Sequence, residues 1–155
     1  MKTTTKIAAA FANLRRQGFW ALQNYECCQG CAGYAVATRA SEAKDAGKRL
    51  PQGVIFFTKQ DGAGPSARVA RCGGGREWRL MIAYGDVDTQ KHGRIGLPTA
   101  EVGHALVAAL REVGLEPTWD GDPNTRISVR YEDAFDRHVP RQAPAVEACG
   151  AARCA

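Results

Sequence analysis

The spacing of apolar positions changes several times along this chain, and each change predicts an element. Ile7, Ala10, Phe11 and Leu14 recur at intervals of three and four, which puts them on one stripe of a helix from Thr5 to Gln17. Threonine ahead of the stripe serves as its cap, Arg15 and Arg16 suit the negative C-terminal end, and Gly18 fits the C′ position. The next segment, "FWALQNYE", turns from apolar to polar without a period and fits a short strand or an aromatic turn. From Gly30 to Ala46 the chain is alanine-rich, with charges at Arg39, Glu42, Lys44 and Asp45, a second helix ended by Gly47. Its apolar face (Ala32, Ala35, Val36, Ala43) is thin, so burial contributes little and its leading end needs an anchor.

Residues 53–59, "GVIFFTK", are dense in β-branched and aromatic side chains and predict a strand, as do residues 78–85, "WRLMIAYG". The two pair as an antiparallel hairpin around a glycine-rich loop, residues 61–77. Residues 86–97 read as a polar connection. A third helix opens at Pro98 and Thr99 and carries Glu101 in its first turn. Val102, Leu106, Ala109, Leu110 and Val113 share its apolar face, and Gly114 ends it. "LEPTWD" and "RISVRY" then flank "GDPNT" as a last hairpin, with Pro117 setting its strand at a sheet edge. The second half thus has the order ββαββ. The class is α+β: N-terminal helices packed on one face of a small, mainly antiparallel sheet. Residues 1–139 form one domain, and residues 140–155, rich in proline and alanine, a disordered tail.

Composition narrows the setting. A chain of 155 residues can bury a core without disulfides or a metal. No stretch approaches the roughly 18 to 20 apolar residues of a membrane span. "IAAAFA" near the N-terminus is too short for an export signal, which points to the cytoplasm. There, six cysteines are thiols, ligands or redox groups rather than a disulfide frame. The net charge of +5 permits weak attraction to nucleic acid or an acidic protein. Its densest part, Arg68, Arg71, Arg76 and Arg79, lies in and beside the glycine-rich loop, with no nucleic-acid-reading motif around it.

The candidate chemistry is "NYECCQGCAGY", residues 24–34, with Cys27, Cys28 and Cys31 in a C-C-x-x-C pattern. Cys28 and Cys31 have the spacing at which two thiolates in a turn reach one zinc ion. A structural site takes four ligands, and Cys27 points away from Cys28 in many turns. The same spacing suits thiol redox chemistry, with Cys28 activated at a helix N-terminus and Cys31 resolving. The familiar redox version follows a parallel strand in a βαβ unit, and no such unit is evident. Plain packing of three small side chains at a helix entry, and a single reactive thiol, are the remaining readings.

Other sites are weaker. His92, His104 and His138 adjoin no nucleophile, "CGGGRE" lacks the rest of a phosphate loop, and "GDVD" and "DGDPN" hold too few carboxylates for calcium. Gln60 and Asp61 after one strand, Asp86 after the next, and Trp119 and Asp120 after a third, are polar strand ends that can meet on one rim.

Taken in order, "GFWALQNYECCQGC", "GVIFFTKQD", "LMIAYG" and "VGHALVAALREVGLEPTWDGDPNTRISV" resemble an uncharacterised bacterial domain-of-unknown-function family. Its marks are an Asn-aromatic-x-Cys-Cys-x-x-Cys element and a Trp-Asp-Gly hairpin, and the resemblance spans about residues 10–131. It implies a small intracellular protein and brings no catalytic residue. Lys59 stands where the family pattern leads one to expect a polar or imidazole side chain. The expectation is therefore a non-catalytic binding protein whose cysteine cluster is structural or holds a metal. The alternatives are a thiol enzyme using Cys28 and Cys31, and an accessory protein that binds nucleic acid or a nucleic-acid enzyme.

Overall fold

The computed structural model describes residues 2–62 and 79–130. Helix α1 spans Thr3–Arg16 and buries Ile7, Ala10, Phe11 and Leu14, the predicted stripe. Its N-cap position is Lys2, with no side-chain cap bond, so the threonines lie inside the helix rather than capping it. The far end is built as expected. Gly18 takes φ +95°, its N–H reaches Arg15 O at 3.0 Å, and Phe19 N–H reaches Leu14 O at 3.1 Å. Only glycine adopts that φ without strain, and the paired bonds satisfy carbonyls the helix leaves open. Gly47 and Gly114 end the other two long helices with the same pair of bonds.

Strand β1 (Trp20–Leu22) is followed by α2 (Gln29–Asp45) and β2 (Val54–Phe56). Residues 59–62 are helical. Then come β3 (Arg79–Gly85), a ribbon of β4 (Val87–Asp88) and β5 (Arg94–Ile95), α3 (Thr99–Glu112), β6 (Pro117–Thr118) and β7 (Ile127–Arg130). The main sheet has the order β1-β2-β3-β7-β6. The β2–β3 and β6–β7 hairpins are antiparallel, and β6, with Pro117, is an edge. The class is α+β, as the pattern predicts.

Three expectations are corrected. Where no βαβ unit was expected, β1 runs parallel to β2, with Trp20 opposite Val54 and Leu22 opposite Phe56, in a main sheet whose other pairs among the described residues are antiparallel, so that it stays mainly antiparallel as expected. β1, α2 and β2 form the βαβ unit that the sequence does not display, because β1 is only three residues long. The helices also cover both faces. On one, α1 and α3 pack with Ile55, Phe57, Leu80, Ile82, Ile127 and Val129. On the other, α2 packs with Val54 and Phe56, and with Val87 and Ile95 of the ribbon. Residues 54 to 57 serve the two clusters alternately, which is strand geometry feeding two layers. Finally, residues 86–97 are not merely a polar connection, since β4 pairs with β5 there.

The arginines at 68, 71 and 76, most of the glycine-rich loop, Cys72, His138, and the tail with Cys149 and Cys154 lie outside the described residues. Among the described residues no helix is long and apolar enough to cross a membrane.

Candidate metal centre

The cysteines sit where β1 hands over to α2. Asn24 (φ 48°) and Glu26 (φ 54°) both take left-handed conformations, which L residues other than Asn and Asp seldom adopt. The chain here is stitched to the end of β2. Tyr25 N–H donates to Phe57 O at 2.9 Å, Lys59 N–H to Glu26 O at 3.0 Å, and Gln60 N–H to Cys27 O at 3.1 Å. A Cβ on Gly62 would run into the Asn24 side chain, so the helical turn 59–62 lies directly against the loop. These bonds hold Asn24 and the strained Glu26 in place and keep Cys27 beside its neighbours.

Cys28 is the N-cap residue of α2, and its carbonyl accepts the Ala32 N–H at 2.9 Å. Cys31 follows one turn later. The sulfurs form a triangle: Cys27 to Cys28 3.6 Å, Cys27 to Cys31 3.3 Å, Cys28 to Cys31 3.5 Å. Cys27 therefore stands beside the pair that spacing alone identifies, so the three cysteines named as candidate ligands lie together. Cys27 and Cys28 are half-buried and Cys31 is exposed. Sulfurs about 2.3 Å from a tetrahedral zinc ion stand about 3.8 Å apart, so a small outward adjustment seats such an ion on all three. Among the described residues no other group of three or more Cys, His, Asp or Glu side chains brings its donor atoms this close.

The thiols are not equivalent. The backbone N–H of Cys31, and next its side chain, hold Cys28 below the ordinary thiol range. Cys31 is pushed up to about 12 by the sulfurs of Cys27 and then Cys28. The positive end of the α2 dipole favours negative charge on sulfur at this spot. A shallow groove of about 600 Å³ opens beside Cys31, lined also by Glu26, Tyr34, Thr38 and Arg39.

The polar strand ends do not gather on one rim. Asp61 is drawn to the cysteine region: its Oδ2 accepts Gln29 Nε2 at 3.0 Å, and Gln29 is the first residue of α2. Gln60 touches the same loop through its backbone. Asp120 instead accepts the Asp122 N–H and the Thr125 hydroxyl, both at 2.9 Å, and is held below the usual carboxylate range by them. Trp119 covers Gly103 of α3 and meets Tyr84 edge-on at 5.6 Å. Asp86 accepts the Thr99 hydroxyl at the start of α3. Three residues of the site escape a reading by motif: Gln29, Thr58 and Arg126. The pattern Thr58-x-x-Asp61 ahead of a helical turn is the signal that could have found Thr58.

Fold and site together define an α+β domain with a three-thiol cluster at the start of a βαβ helix, a group competent to hold a metal ion. The family described as a domain of unknown function (DUF6891) matches residues 1–134, and the chain belongs to it. No curated protein and no solved structure matches the chain.

Proposed function

We propose that this domain is a binding protein that holds a thiophilic metal ion, zinc foremost, on Cys27, Cys28 and Cys31. The observation that carries the reading is the sulfur triangle with edges of 3.3 to 3.6 Å. Three thiolates supply soft ligands, the α2 dipole offsets part of their charge, and a fourth ligand enters from the groove beside Cys31. The ion then does for α2 what its thin apolar face does not: it fixes the leading end of the helix to the sheet. The direct test is metal content of the purified, folded protein by native mass spectrometry. One zinc per chain, lost in Cys28→Ser, supports the reading; a metal-free mass in protein prepared with zinc present and without chelator defeats it.

A second reading, thiol redox chemistry, is favoured by the βαβ unit with Cys28 at the helix N-cap and Cys31 one turn on. It requires Cys28 to react well below the ordinary thiol pKa of about 8.5. A disulfide-reduction assay separates the two where iodoacetamide labelling does not. Cys28 modified ahead of Cys31 at neutral pH in zinc-free protein is expected in either case, but turnover of a disulfide substrate belongs only to the second.

A further inference from the structure

The three sulfurs come from two pieces of chain. Cys27 belongs to the strained loop, while Cys28 and Cys31 belong to the first turn of α2. Something must hold the two pieces in register, and one half-buried carboxylate touches both supports. Asp61 Oδ2 accepts the Thr58 N–H at 3.2 Å and the Thr58 hydroxyl at 2.9 Å, and Asp61 N–H returns a bond to Thr58 Oγ1 at 3.2 Å. This reciprocal pair is a capping box that fixes the turn beginning at residue 59. The first N–H groups of that turn, those of Lys59 and Gln60, clamp the carbonyls of Glu26 and Cys27. The same Oδ2 accepts Gln29 Nε2 at 3.0 Å, next in sequence to Cys28. Arg126 Nη1 stands 3.3 Å from Oδ1, balancing a carboxylate whose side chain is only 15% exposed.

We infer that Asp61 is the positioning residue of the metal centre. It aligns Cys27, through the 59–62 turn, with Cys28 and Cys31, through Gln29, so that three thiolates rather than two face one ion. The inference rests on the metal reading above and adds to it a determinant that contributes no ligand. Residues behind the ligands of metal sites typically change affinity about 10- to 100-fold when removed.

The probe is Co²⁺, titrated into the reduced, metal-free full chain. Sulfur-to-cobalt charge-transfer absorption scales with the number of thiolates bound. The parent protein is expected to show a three-thiolate band. Asp61→Asn keeps the shape but removes the charge and turns one of the two accepting oxygens into an N–H donor; it is expected to bind Co²⁺ about 10- to 100-fold more weakly, with a band reduced by about one third as Cys27 drops out. Gln29→Met removes only the link to α2 and leaves the capping box; a several-fold weaker affinity with an unchanged thermal midpoint supports the inference even if Asp61→Asn folds poorly. A parent band with unchanged affinity and intensity in both variants overturns the role of Asp61 and leaves the metal reading standing. A parent protein with no thiolate band overturns both.

Discussion

The two faces of the sheet are held by different means. On one, α1 and α3 cross large side chains: Phe11, Leu14, Leu106 and Leu110 are fully buried, and Phe11 meets Phe57 edge-on at 5.5 Å. On the other, α2 buries three alanines and one valine (Ala32, Ala40, Ala43, Val36). Its hold is polar and local instead. Arg39 lies 4.4 Å over the Trp20 ring, Asp45 contacts Lys91 and His92 at 2.8 Å, and Gln29 reaches Asp61. Burial of apolar area scales with side-chain size, so the first face carries most of the stability. The second carries the sulfurs. A lightly anchored helix whose leading end can be fastened by a ligand is where a binding event has leverage over structure.

The largest effect should come from the heavy face. Phe11→Ala is expected to cost about 3 to 5 kcal/mol of unfolding free energy in urea titrations. A loss below about 1.5 kcal/mol would show that the two faces are more alike than their side chains suggest. Next is the metal. Zinc at one hundred times its dissociation constant should add about 2.7 kcal/mol, and Cys28→Ser should erase that increment. In metal-free protein, α2 amides should exchange through openings of lower free energy than those of α1 and α3; equal protection would break the comparison. On the light face, Val36→Ala is expected to cost only about 1.5 kcal/mol in the same titrations.

The smallest effect is one of pH. The carboxyl of Asp45 is lowered from its reference of 3.8, first by Lys91 and then by His92. A carboxyl depressed in the native state adds stability above its unfolded pKa, and this is lost as pH falls through the native value. Asp45→Asn should therefore cost a little at neutral pH, and the gap to the parent should close in acid, below the reference value. A gap that persists unchanged to pH 2 would show that the α2–ribbon tether is not electrostatic.

Much of the heavy face was legible in the pattern of residues. Ile7, Phe11 and Leu14 mark α1 by their spacing, Val102, Leu106 and Leu110 mark α3, and the three terminating glycines stand at the ends they close. The light face was hard to read for physical reasons. Alanines give α2 no direction, so nothing in its composition says which side of the sheet it takes. β1 is three residues long, and its parallel partner lies beyond an entire helix, so no local period betrays it. The β4–β5 ribbon has two residues per strand and shows itself only in Val87 and Ile95. At the site, the spacing of Cys28 and Cys31 was plain. The arrival of Cys27 depends on left-handed backbone at Asn24 and Glu26, where no glycine announces it. Asp61 was marked as a polar strand end, but its partner Arg126 is distant in sequence and no motif connects them.

One detail of the sheet margin reaches beyond the site. In β1 the backbone of Trp20 and Leu22 bonds inward, and the outward carbonyl of Ala21 accepts Arg15 Nη1 at 2.8 Å. At the opposite margin Pro117 has no N–H to offer. Among the described residues, a guanidinium at one border and an imino acid at the other are features that hinder an incoming strand. Replacing Arg15 with a short apolar residue would open the Ala21 carbonyl at the β1 border to an incoming strand.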